Sequence, residues 1–239
     1  MADFLDIKEF GEGAKIPSPT LCIVLVTYER TPLALRTIQG VCENLDYPQR
    51  TWYIADDGSS REHVDRLVGE LKSRGENLYA MHNQTFAERP YCGRGWNHAL
   101  RRAHDLTDYV LWLEDDWHLE KPLDIRPYMR ALLEREDVGM ISMRGLSKGL
   151  RLEVDGHNGI HYFKVLREGD RDSMAYSGNP LIRHTRYLEY GWFSNVETPG
   201  DIEIVCDHNY RHHFGPNIWR PAEISGWGIW GHIGSSRTW

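Results

Sequence analysis

The chain is poor in cysteine: Cys22, Cys42, Cys92 and Cys206 are the whole complement of its 239 residues, and none forms a CxxC pair. That excludes the common zinc-ligand spacings and the dense disulfide framework of a small secreted domain. Reduced thiols in a cytoplasmic protein are the simplest reading. Long apolar runs are missing as well, since none approaches the ~18 residues a transmembrane helix needs. Met1 to Lys15 is polar and acidic, unlike a signal peptide. Basic excess is also absent. Lys and Arg number 28 against 35 Asp and Glu, a formal charge of -7, which leaves no electrostatic footprint for nucleic acid beyond a local patch. No internal repeat or low-complexity stretch is found.

What remains is an ordinary globular composition, long enough for one large domain or two small ones. Nine tryptophans are more than average usage suggests. Their flat apolar faces and polar edges suit sugars and bases as well as cores, and core and loop packing accounts for most of them.

The hydrophobic pattern alternates between strand and helix. Residues 1–18 read as a loosely structured lead-in. Leu21 to Thr27 is a β-branched, apolar run of strand length, buried on both faces. Thr31-Pro32 opens a helix to about residue 44, with Pro at a tolerated first-turn position. Thr51 to Ala55 is a second strand, followed by a helix over roughly 60–74 with Val64, Leu67, Val68 and Leu71 on one face. A short strand at 77–82, a helix from Gly93 to Leu106, a strand from Tyr109 to Leu113, a helix from Ile125 to Glu136 and a strand from Val138 to Met143 follow. Beyond about residue 145 the alternation stops. Irregular strands and loops are expected over 150–178, with helices near 180–191 and 201–213, and the tail from 215 is dense in Gly and Trp.

Such alternation implies βαβ units and a mostly parallel sheet covered on both sides. Ligands bind such sheets at the carboxyl ends of the strands. The polar groups there are Thr27, Glu29 and Arg30, then Asp56 and Asp57, then Glu114, Asp115 and Asp116. All converge on one crevice. The last set is the most informative, because a buried strand ends in three adjacent carboxylates. Ionised acids at one buried strand end repel each other and demand compensation. A hard divalent cation, Mn²⁺ or Mg²⁺, takes oxygen ligands and bridges to phosphate oxygens. The plainer alternative is a solvated acidic turn. Likewise Asp56-Asp57-Gly58-Ser59 reads either as a ligand-binding turn or as a turn that only caps the next helix.

Four segments in this order, Val26-Thr27-Tyr28-Glu29-Arg30, Ala55-Asp56-Asp57-Gly58-Ser59, Gly93-Arg94-Gly95-Trp96-Asn97-His98-Ala99 and Leu113-Glu114-Asp115-Asp116, resemble the GT-A glycosyltransferases, family 2 in particular. The resemblance covers about residues 20–145 and continues more weakly to the C-terminus. It implies an α/β fold of Rossmann-like GT-A type, with a central sheet flanked by helices and an irregular acceptor-side region. One domain, 1–239, is expected, with a nucleotide-sugar-binding half at about 19–145 and an acceptor-binding, catalytic-base half at about 146–239.

By that resemblance Thr27, Glu29 and Arg30 line the base pocket. Asp56 accepts a hydrogen bond from a base N–H, such as the uracil imide, with Asp57 beside it. Arg94 pairs with phosphate, with Arg89 as competitor, and Asn97 meets the strand-end acids. Glu114-Asp115-Asp116 takes the place of the family's Asp-X-Asp motif, where Asp is commoner than Glu at the first position. Asp116 becomes the metal ligand, while Glu114 or Asp115 acts through water or the sugar hydroxyls. His232, between small residues, is a further metal ligand, and Ser235, Ser236 and Arg237 follow for the diphosphate. Asp201, in Gly200-Asp201-Ile202-Glu203-Ile204, is the implied general base, with Glu203 and then Glu197 behind it; Asp201 also suits a helix N-terminus. The segment 176–180 resembles the acceptor-side loop, and Trp192, Trp227 and Trp230 are offered as sugar-stacking faces. His208, His212 and His213 are read as a solvated helix face rather than a second metal site.

The function implied is metal-dependent, inverting transfer of a sugar from a nucleotide-diphospho sugar, a UDP-sugar first, to a hydroxyl of a saccharide, a protein or a modified nucleic-acid base. A nucleotidyltransferase shares such a sheet, but the basic, glycine-rich loop it carries after the first strand is missing from Thr27 to Pro32. A non-catalytic sugar-binding module explains the tryptophans but not the acidic strand ends.

Overall fold

The computed structural model describes residues 20–83, 92–143, 151–166, 180–190, 209–210, 212–215, 218–221 and 229–234. Strand β1 (Leu21–Thr27) lies at the centre of the first half. It pairs in parallel with β2 (Arg50–Asp56) on one side and with β4 (Tyr109–Glu114) on the other, and β2 pairs in parallel with β3 (Leu78–Asn83). The crossovers are α1 (Thr31–Asn44), α2 (Arg61–Ser73) and α3 (Cys92–His104). Later elements are β5 (Trp117–Leu119), α4 (Arg126–Glu134), β6 (Met140–Ser142), β7 (Arg151–His157), β8 (Ile160–Leu166), β9 (Leu181–His184), a 3₁₀ turn (Thr185–Tyr190), β10 (Ile218–Pro221) and β11 (Trp230–His232). Among the described residues, nine strands form one sheet in the order β3-β2-β1-β4-β9-β6-β10-β8-β7. Only β9 and β8 run against the rest, so the expected mostly parallel sheet is observed.

Successive side chains of a strand face opposite sides of the sheet, and each side has its own core. Leu21, Ile23, Leu25, Trp52, Ile54, Leu111 and Leu113 meet Ile38, Val41, Leu67, Leu71 and Leu132 from α1, α2 and α4. Cys22, Val24, Tyr53, Ala55, Val110 and Trp112 meet Ala99, Leu100 and Ala103 of α3 together with Tyr187, Tyr210 and Phe214. Burial on both faces is why β1 and β4 read as unbroken apolar runs. Ser60 caps α2, its Oγ accepting from the His63 N–H at 3.3 Å.

Three expectations need correction. Residues 181–184 are a strand followed by a 3₁₀ turn, not the start of a helix over 180–191. Leu181 and Ile182 slot antiparallel between β4 and β6 and face opposite cores, a period of two that tertiary pairing imposes on a short segment. Residues 151–166 form a regular hairpin rather than irregular strands. Its turn is Asn158-Gly159, both at positive φ (49° and 80°), the pattern of a two-residue primed turn. Strands β5 and β11 were not expected, and they pair antiparallel as a separate two-stranded ribbon. Among the described residues, no helix is long and apolar enough to cross a membrane.

Candidate active site at the β1–β4 switch point

The chain winds outward from β1 through β2 to β3, then returns to the other side of β1 with β4. Such a reversal, here between β1 and β4, is where open α/β sheets bind their ligands. Register puts Thr27 beside Asp56 and Val26 beside Glu114. The strand ends at which the sequence placed the acids are therefore neighbours.

Asp115 is 1% exposed and held from several directions. Its Oδ2 accepts from Thr27 Oγ1 at 3.0 Å and from the Tyr28 N–H at 3.4 Å, and its Oδ1 accepts from Arg30 Nη2. Its carbonyl accepts from Thr37 Oγ1 at 2.9 Å, tying the strand end to α1. Burial raises the Asp115 carboxyl above its ordinary value, while Arg30 and the Thr27 hydroxyl pull it back. Asp116 is 3% exposed. Its Oδ2 accepts from Arg30 Nη1 at 2.9 Å and lies 3.4 Å from His232 Nε2, and its Oδ1 is buried with no hydrogen-bond partner among the described residues.

Arg30 thus lies against Asp115 and Asp116. Burial works against its charge, but the two carboxylates outweigh that and raise it. Glu29 turns to the next strand end. It sits at φ 52°, and its carboxylate accepts from the Ser60 N–H at 2.5 Å and Ser60 Oγ at 3.3 Å, across the entrance to α2. Asp56 is fully buried. Its Oδ2 accepts from the N–H groups of Gly58 (3.1 Å) and Ser59 (2.8 Å), closing the turn, and its Oδ1 has no hydrogen-bond partner among the described residues. Burial raises its pKa, against the Ser59 and Gly58 hydrogen bonds and the His63 ring. The Asp57 N–H donates to the Thr27 carbonyl at 3.0 Å, stitching the turn to β1. Glu114 is half-buried at the end of β4.

His63 was missed by sequence reasoning. It is 1% exposed on α2, one turn before Leu67. Its Nε2 lies 3.0 Å from Thr27 Oγ1 and 3.7 Å from Asp56 Oδ1, and its Nδ1 lies 2.7 Å from Thr31 Oγ1. Since Thr27 Oγ1 gives its proton to Asp115, it must accept from Nε2–H, which assigns that tautomer to the neutral ring. The signal for it was its place on the buried stripe of α2, beside Val64 and Leu67.

His232 arrives through the unexpected ribbon. It pairs with Trp117, one residue past Asp116, and its ring lies 5.0 Å from the Trp117 ring, tilted at 55° to it. The Ile233 N–H donates to the Asp116 carbonyl at 2.8 Å. Gly234 follows, where a Cβ would stand 2.6 Å from Asp116 Oδ2, so only glycine lets the carboxylate in. Among the described residues, no three His, Cys, Asp or Glu side chains gather as a ready-made metal cage. Trp230 is only 8% exposed and packs in the core, so it offers no open face to a sugar. His212 and His213 are exposed, as expected for a solvated helix face. Asp201, Glu203, Glu197, Arg89, Trp192, Trp227, His208, residues 176–179, Ser235, Ser236 and Arg237 lie outside the described residues, as do the side chains of Arg94 and Asn97.

No protein-family model matches the chain, and no curated protein matches it in sequence. Solved structures do match in shape. S. aureus TarS 1-349 superposes with a TM-score of 0.58 at 15% identity, over 81% of this chain and 56% of that one. Glucosyl-3-phosphoglycerate synthase from Mycobacterium tuberculosis, in complex with Mn²⁺, UDP and phosphoglyceric acid, gives 0.52 at 16% identity, over 84% and 66%. The chain thus spans little more than half the length of the TarS fragment it matches. At such identity the likeness is one of architecture, and that architecture is the GT-A fold of glycosyltransferases.

Proposed function

We propose that the protein is a metal-dependent glycosyltransferase, moving a sugar from a nucleotide-diphospho sugar, a UDP-sugar first, to an acceptor hydroxyl with inversion. The observation that carries this reading is the convergence at the β1–β4 switch point, where Asp116 keeps one buried oxygen without a hydrogen-bond partner among the described residues and has His232 3.4 Å from the other. Likeness in fold to a synthase solved with Mn²⁺ and UDP supports it.

The residues fit a divalent cation of the Mn²⁺ or Mg²⁺ kind. Such ions bind through one or two carboxylates, water and substrate phosphates rather than an all-protein cage. A buried carboxylate oxygen with no hydrogen donor suits a cation better than it suits solvent. Asp116 and His232 would hold the ion, with Glu114 or Asp115 acting through water or the sugar hydroxyls. When bound, the ion stabilises the negative charge that develops on the departing nucleoside diphosphate. Thr27 and Tyr28 orient Asp115 by direct hydrogen bonds, and Thr37 anchors its backbone. Trp117 and the ribbon hold His232 at the rim.

The base and ribose are assigned to the Asp56-Asp57 turn, the phosphates to Arg94 and Arg237, and Asn97 to the strand-end acids. Asp201, with Glu203 behind it, takes the acceptor proton as the hydroxyl attacks the anomeric carbon. The half before about residue 145 serves the donor and the remainder the acceptor. The test is turnover of a UDP-sugar panel with Mn²⁺, with EDTA and in Asp116→Ala. Metal-dependent UDP release lost in the variant is the expected result. Absence of hydrolysis, transfer and saturable nucleotide-sugar binding would overturn the reading in favour of a nucleotidyltransferase or a binding module.

A further inference from the structure

Adjacent buried carboxylates need a positive charge, and in this structure Arg30 supplies it to both. Nη2 reaches Asp115 Oδ1 and Nη1 reaches Asp116 Oδ2, while the guanidinium side chain stays 24% exposed. The two contacts are not equivalent. Asp115 also accepts from Thr27 and Tyr28 and keeps those partners without Arg30. Asp116 has only Arg30 and the half-exposed edge of His232 at Oδ2, and no hydrogen-bond donor at Oδ1 among the described residues. Arg30 stands at the N-terminal edge of α1, where its carbonyl accepts from the Leu33 and Ala34 N–H groups at 3.0 Å. Its backbone is thereby fixed, and its side chain can turn outward without disturbing the core.

We propose that Arg30 is an exchangeable internal counter-ion. It neutralises Asp116 in the metal-free protein and yields Asp116 Oδ2 to the divalent cation that enters with the donor diphosphate. This inference rests on the donor and metal reading above. Two cations cannot share one carboxylate oxygen without mutual repulsion, so the metal alone must displace the guanidinium and binds weakly. The diphosphate brings the negative charge that accommodates both. Metal and nucleotide therefore bind with positive coupling, and the coupling is reciprocal. Arg30 is a positioning residue in this scheme, since its partners are carboxylates of the protein.

The experiment is Mn²⁺ titration followed by the electron paramagnetic resonance signal of the free ion, with and without UDP. Wild type, Arg30→Gln, Arg30→Lys and Asp116→Asn are compared, and folding is checked by thermal unfolding with and without Mn²⁺. Without UDP, Arg30→Gln should bind Mn²⁺ roughly tenfold tighter than wild type, the equivalent of one charge-assisted hydrogen bond. UDP should then improve its Mn²⁺ affinity by a smaller factor than it does in wild type. Mn²⁺ should raise the melting temperature of Arg30→Gln more than that of wild type. Arg30→Lys, which keeps the charge but cannot bridge both carboxylates, should fall between the two, and it decides the matter if Arg30→Gln does not fold. A folded variant with Mn²⁺ affinity equal to or weaker than wild type, without UDP, overturns the counter-ion role while leaving the metal site intact. Wild type that binds no Mn²⁺ even with UDP, indistinguishable from Asp116→Asn, overturns the metal reading and this inference with it.

Discussion

Helix α1 lies against the strand that leaves the acidic turn, and glycine makes that contact possible. A Cβ at Gly40 would sit 2.6 Å from His118 Nδ1 and 2.8 Å from the Leu119 backbone nitrogen. The ring swings away alone only by giving up its 2.7 Å contact with the Arg36 carbonyl, and the backbone has less freedom, since Leu119 pairs with Trp230 in the ribbon. Gly69 in α2 is the control, exposed and with nothing within 4 Å of its would-be Cβ. Helix propensity alone favours Ala over Gly by about 1 kcal/mol at either position. Overpacking costs about 1–3 kcal/mol and more where backbone must move. Gly69→Ala should therefore stabilise the protein by about 0.5–1 kcal/mol, while Gly40→Ala should destabilise it by about 1–2 kcal/mol. For a chain of this size each kcal/mol is worth about 2–4 °C in Tm. Urea unfolding followed by tryptophan fluorescence and circular dichroism measures both. Equal stabilisation by the two substitutions would refute the close α1–β5 approach, and with it the account of how α1 supports the acidic turn.

Three further outcomes are expected. Burial lowers the His104 imidazole from 6.5 to about 3, against its bond to the Thr107 carbonyl, and burial lowers His184 to about 4. The unfolded chain protonates both rings below about pH 6.5 while the folded chain does not, so their contribution is intact above that pH and is lost as pH falls toward 4. For His104 this is about 2 kcal/mol by pH 5. Urea midpoints at pH 7 and 5 should converge in His104→Gln, and an undiminished pH-dependent drop would contradict the assignment. Thr27→Val keeps the shape but leaves Asp115 without its hydroxyl donor and His63 Nε2–H without its acceptor. A loss of about 2–3 kcal/mol in equilibrium unfolding is expected, and a neutral result would show that the network contributes nothing. Gly234→Ala drives a methyl carbon to 2.6 Å from Asp116 Oδ2. Metal-dependent kcat/KM should fall by roughly tenfold or more through the displaced carboxylate, and unchanged turnover would exclude Asp116 from the metal site.

The local pattern made the first half of the fold legible. Apolar runs at Leu21–Thr27 and Tyr109–Glu114 have the length and composition of inner strands and are buried on both faces, and the helices between them carry one-sided apolar stripes. Parallel order then brings the strand ends that carry the acids to a common edge, which followed from sequence alone. The partners of those acids did not follow. Arg30 and Glu29 were one residue apart and assigned to one pocket, yet one turns to Asp115 and Asp116 and the other to Ser60. Short segments fared worst. The three-residue strands β5 and β11 have too few positions to show a period. They exist because residues more than a hundred positions apart in sequence pair, and it is this pairing that carries His232 to Asp116. Periodicity records which face of a segment is buried; which side chain compensates a buried charge depends on distances of 3 Å set by the whole packed molecule.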